Sequence, residues 1–164
     1  MSQEFDALYV QYLIYFNRDQ DYFECHEVLE ELWLEKNGEP VYKGLLQVAV
    51  GLFHFRNGTV NHLYNKRLGA IKMLNSSLHK LQTYPQHTLG IDLQRLVLDV
   101  SQYVERLQRY EQEPFDFYPL QIIITDPLLQ KAVEAADKQI HAHVPLRTGY
   151  ERGPKAKELP DADI

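Results

Sequence analysis

The stretch YFECHEVLEELW, residues 22–33, decides the class of this protein. Wound at about 100° per residue from Tyr22, it puts Trp33 at about 20°, His26 at about 40°, Glu30 at about 80° and Phe23 at about 100°. Cys25, Leu29 and Leu32 continue an apolar arc on the other side of Tyr22. Glu24, Glu31 and Glu35 fall opposite and read as a solvated acidic face, with Glu27 on the boundary. An apolar arc at this period is the signature of an amphipathic helix, here predicted over 21–36 and stopped by Asn37-Gly38 and Pro40.

Upstream, Phe5, Leu8, Tyr9, Tyr12, Leu13 and Phe16 repeat the same spacing, and Asn17 to Gln20 form a polar break before the second helix. Downstream, residues 42–56 are apolar almost all round, which predicts a central third helix with Gly58 closing its C-terminus. Further stripes predict helices over 61–81 and about 91–110. The segment Pro114 to Ile124 reads as an irregular strip wrapping the bundle, because a lone strand has nothing to pair with. Asp126 and Pro127 then suit the N-cap and first position of a last helix reaching about Ile140. The fold class is therefore all-α: a compact antiparallel bundle of five to six helices, the first three at its centre, with an irregular C-terminal wrap. One domain over 1–144 and a flexible tail over 145–164 are expected.

Composition narrows the function classes. The 164 residues are 45% apolar, enough for a core that needs no disulfide or metal staple. Seventeen basic residues against 23 acidic ones give a net charge of −6, the wrong sign for a protein that lives on phosphate backbones or anionic membranes. The single cysteine, Cys25, excludes an internal disulfide and any multi-cysteine zinc site, and its apolar setting predicts an inert thiol. No apolar run approaches the ~20 residues of a membrane span. With no signal-like start, a cytoplasmic location is expected.

The third helix carries Gly44, Gln47, Gly51 and His54 at spacings of three, four and three, hence on one stripe. Two helix-interior glycines suggest close approach of a neighbour, most simply the second helix. His26, Glu30, Gln47 and His54 would then converge, with Glu27 and Trp33 at the margin. Three readings stay open. The residues form a structural network that satisfies itself. They line a small-ligand or metal pocket, with His26, Glu30 and His54 as candidate ligands for a divalent transition metal and Glu27 as candidate base of a hydrolase or oxygenase. Or they point apart. His141 and His143 form an H-x-H pair with no carboxylate cluster near them in sequence.

YFECHEVLEELW followed by GLLQVAVGLFHFRNG, residues 44–58, resembles the bacterial and archaeal family called domain of unknown function 309. The resemblance covers about residues 16–81 and is most specific at His26, Glu27, Glu30, Trp33, Gln47 and His54. It implies antiparallel helices and supplies no activity. The leading expectation is a non-enzymatic interaction or small-ligand-binding module with a structural His/Glu/Gln cluster. Eleven tyrosines and seven phenylalanines leave aromatic surface for a protein partner, most cheaply a second copy of the chain.

Overall fold

A computed structural model describes residues 5–61 and 64–143. The element order is all-helical: α1 (Ala7–Ile14), α2 (Tyr22–Glu35), α3 (Pro40–Asn61), α4 (Tyr64–Leu81), α5 (Leu93–Gln108) and α6 (Pro127–Asp137). Aspartates open four of them. Asp6, Asp21, Asp92 and Asp126 each accept a backbone N–H in the first turn of α1, α2, α5 and α6, satisfying donors that have no partner within the helix. Asp126 and Pro127 thus play their predicted parts, although α6 stops at Asp137.

Between α1 and α2 the chain does not relax into a polar break. It widens into a π-helical turn, Tyr15–Asp19, and reverses at Gln20, whose φ of 54° is left-handed. Asn17 on this elbow exchanges two 2.9 Å hydrogen bonds with the backbone of Ile122, tying the C-terminal wrap down. α2 ends as predicted, with Asn37 and Gly38 at positive φ and the Gly38 N–H donating to the Trp33 carbonyl at 2.9 Å. Pro40 does not seal that end; it opens α3 at the position where a missing N–H matters least. Nor does Gly58 terminate α3, which continues to Asn61. One interior glycine costs about 1 kcal/mol, less than a helix packed on two sides gains.

α3 is the central element, its Leu45, Val48, Ala49 and Leu52 fully buried. Its glycine stripe faces α4, contrary to the expected approach of α2. A Cβ on Gly44 would sit 2.7 Å from Leu81 Cδ2, and one on Gly51 2.6 Å from Leu74 Cδ2. α2 packs on another side of α3, where Phe23 meets Phe53 at 6.3 Å between ring centroids. The centre is therefore α3 between α2 and α4, and not the first three helices. Leu74 is fully buried and the Ala70 carbonyl lies 3.4 Å from the same point. Overpacking of about 1–3 kcal/mol then exceeds the ~1 kcal/mol that alanine gains in a helix. Gly51→Ala is expected to destabilise the fold by about 1 kcal/mol in urea unfolding, and a more stable variant would mean that α4 retreats freely.

The irregular wrap follows α5. Phe115 and Phe117 meet Phe55 with tilted rings and centroids at 5.1 and 6.3 Å, and Tyr103 and Tyr110 close the same aromatic cluster. Ile124 makes one antiparallel bridge to Ile91, so the strip pairs at a single point and otherwise lies on the helices through Leu120 and Ile122. No helix of the described residues is long and apolar enough to cross a membrane. The predicted tail over 145–164 lies outside the described residues.

Candidate functional site

On α2, His26 sits between two carboxylates. Its Nε2 lies 3.1 Å from Glu30 Oε1, one turn on, and its Nδ1 3.4 Å from Glu27 Oε1. Both glutamates are half exposed, and neither meets a lysine or arginine among the described residues. Trp33 covers the α2–α3 turn, against Gly38 and under the Lys43 ammonium at 4.8 Å. His26 also leans on Phe23, which continues through Phe53 to the ring of His54.

Gln47 is committed elsewhere: Lys80 of α4 donates to its Oε1 at 3.1 Å and to Ser76 Oγ at 2.8 Å. His54 turns toward α4, near Gly69. Its burial, and secondarily the Lys66 charge, push its pKa down to about 4, so it is neutral at physiological pH. Among the described residues no group of three or more His, Cys, Asp or Glu side chains is arranged to hold a metal ion. His26 and Glu30 stand together, and His54 does not join them in a three-ligand centre.

Three of the predicted residues share one property. His26 Nδ1, Trp33 Nε1 and His54 Nδ1 are buried ring nitrogens that make no hydrogen bond among the described residues, although Glu27 Oε1 stands 3.4 Å from the first. A network that exists to fix helix register satisfies its members, since each buried unpaired group costs about 1–3 kcal/mol.

A second polar cluster, at the elbow, escaped the sequence reading. Asp19, Asp21, Glu24, Arg56 and Asn57 are all buried. Glu24 corrects the expected acidic face of α2: it is buried, near Tyr15 of the elbow. Arg18 grips Asp19 through two hydrogen bonds of 2.8 and 2.9 Å and reaches Asp137 of α6 at 3.0 Å. His143 stacks on Tyr15 at 4.9 Å, donates its backbone N–H to Asp19 at 3.1 Å, and sets Nδ1 2.7 Å from Asp21 Oδ2. Arg56 donates to the Gln20 carbonyl at 3.0 Å and lies over Tyr22 and Phe117. Burial holds the Tyr15 hydroxyl above its ordinary pKa, with Glu24, Asp21 and Asp19 adding to the effect. Cys25 is fully buried and its thiol is raised well above the usual range, first by burial, which leaves it inert.

One signal for this cluster was present. Arg56 and Asn57 interrupt the most apolar helix of the chain, and a charge there needs a buried counterpart. What it meets at the elbow, the Gln20 carbonyl and the Tyr22 ring, is separated from it by dozens of residues.

Residues 9–64 match the model of a family described as a domain of unknown function, DUF309. The chain is similar to that family over this segment, about a third of its length. The segment runs from α1 to the end of α3 and contains His26, Glu27, Glu30, Trp33, Gln47 and His54, beginning and ending earlier than the 16–81 of the sequence resemblance. The DUF309 match takes in the elbow as well, apart from His143. The chain is also 33% identical over 111 residues to the uncharacterized protein YpuF of Bacillus subtilis (strain 168). That similarity covers 63% of this chain and 60% of the relative, so it spans less than two thirds of the relative's length. No solved structure matches the chain.

Proposed function

We propose that this protein is a non-enzymatic binding module whose recognition face is the α2–α3 surface of the DUF309 segment. The observation that supports the reading is the pair of buried ring nitrogens on that face, His26 Nδ1 and Trp33 Nε1, which make no hydrogen bond among the described residues. Groups held dry and unpaired are disposed to hydrogen-bond an incoming partner. Glu27 and Glu30, which lie beside His26 and meet no lysine or arginine among the described residues, set the sign of that partner: a basic side chain, arginine before lysine, because a guanidinium matches paired carboxylates.

Titrating the ¹⁵N-labelled protein with the capped peptide acetyl-Gly-Arg-Gly-amide is expected to give saturable shifts at the Trp33 indole and the His26 ring. Glu27→Gln with Glu30→Gln should weaken binding about tenfold while leaving unfolding unchanged, since both side chains are half exposed. No saturable shift, or an equal response from the double variant, would refute the reading.

A further inference from the structure

Away from that face, α1, the end of α2, the start of α3, the turn at Thr88–Gly90 and the N-terminus of α6 surround a cavity of about 300 Å³. This is the lower end of the size range of small-molecule sites, and its wall exposes more polar than apolar surface, with aromatic side chains set beside several charged groups. Phe5, Tyr9, Tyr42 and Leu89 supply the apolar surface. The floor is held in an unusual backbone shape. Leu89 and Gly90 take left-handed φ values of 59° and 75°, a conformation that a leucine rarely adopts. The Tyr9 hydroxyl donates to the Leu89 carbonyl at 2.8 Å, and the Gly90 carbonyl accepts from Thr125 and Asp126 at 2.8 and 3.1 Å.

The polar groups are ordered by depth and stiffness. Asp6 and Asp126 are partly buried, and each is fixed by a cap in which Oδ1 accepts a backbone N–H, from Leu8 at 2.9 Å and from Leu128 at 2.8 Å. Their Oδ2 atoms take no hydrogen bond among the described residues. Lys36 and His87, which also line the cavity, are exposed at its rim, and the His87 ring lies 3.4 Å from Thr125 Oγ1. The fixed charge is therefore negative, while the lysine is free to swing outward. Tyr42 registers the same field: burial, then Asp6 and Glu39, keep its hydroxyl protonated beyond the ordinary range.

We propose that this cavity is a binding site for a small organic ammonium compound, whose charged nitrogen meets the carboxylates of Asp6 and Asp126 and whose apolar body lies along Phe5, Tyr9 and Tyr42. Aromatic walls suit such a ligand twice, through apolar contact and through attraction of the cation to the ring faces. The site shares no residue with the α2–α3 face, so the two readings stand or fall separately.

Phenethylammonium is the probe, with 2-phenylethanol as its neutral and 3-phenylpropionate as its anionic counterpart. In the full chain it is expected to shift the Leu89 and Gly90 amide resonances saturably, with the two counterparts at least about tenfold weaker. Asp6→Asn with Asp126→Asn removes the charges and retains the caps, because asparagine caps helices as well as aspartate does. The double variant should keep its melting temperature and bind phenethylammonium about tenfold more weakly. No saturable response overturns the assignment. So does equal binding of phenylpropionate or phenylethanol, or undiminished binding by the asparagine variant. If the double variant loses stability, Asp6→Glu read by the same shifts replaces it, and undiminished binding there by a displaced carboxylate counts against the site.

Discussion

Arg56→Met is expected to lower stability by about 3–5 kcal/mol, the range measured when one member of a buried charged group is removed and its partners remain. Arg56 is only 4% exposed, and the elbow beside it buries Asp19, Asp21 and Glu24. Methionine preserves most of the side-chain volume that covers Tyr22 and Phe117, so the loss reports charge and hydrogen bonding more than packing. Arg56→Lys should recover only part of it, because an ammonium neither spreads over two rings nor presents the same planar donors to the Gln20 carbonyl. Arg95→Met is the control. Its ion pair with Asp99 is an exposed i,i+4 contact, expected to contribute about 0.5 kcal/mol or less. Urea unfolding of the three variants checks the ranking, and equal effects for Arg56→Met and Arg95→Met would remove the elbow from the account of stability.

Acid should weaken the protein through His54. Its pKa is about 4 in the folded chain against 6.5 as the ordinary value, so on acidification the unfolded chain takes up the proton first. The stability that a neutral His54 confers is whole above about pH 6.5 and is lost progressively as the pH falls toward about 4. The full difference is about 3 kcal/mol. Carboxylates also titrate near the lower end, so the measurement is the difference between wild type and His54→Leu across that window. The leucine variant should be as stable as wild type or more so at neutral pH, because it removes a buried nitrogen that has no hydrogen-bond partner among the described residues. It should also lack the acid-dependent loss. Parallel curves for the two proteins would show that His54 is not held neutral by burial. Neither Glu30 nor Gln47 loses a partner in such a variant, since Gln47 is held by Lys80 and Glu30 stands beside His26.

Helix existence was legible because it depends on local periodicity and local punctuation. Tyr22 to Trp33 can bury its apolar arc only as a helix, and Asp21, Asn37, Gly38, Asp126 and Pro127 act on backbone groups within a few residues of themselves. His26, Glu27 and Glu30 were legible as a group for the same reason, as neighbours at i+1 and i+4 on one helix. The partner of the glycine stripe was not. Gly44 and Gly51 announce that something comes close, and a gap of that shape accepts α2 or α4 equally well until the other faces of both are packed.

The sequence by itself determined an all-helical chain, the Asn37-Gly38 stop of α2, the Asp126-Pro127 start of α6, and the α2 triad. Only the tertiary structure decided that α4 fills the stripe, that Gln47 belongs to Lys80, and that Glu24 is buried. It alone gathers Asp19, Asp21, Arg56 and His143 at the elbow, and Asp6 and Asp126 around one cavity. Periodicity reports which side of a helix avoids water, whereas the identity of what covers that side depends on contacts between residues up to about 120 positions apart. Those contacts depend on the joint packing of every helix, and no local pattern carries them.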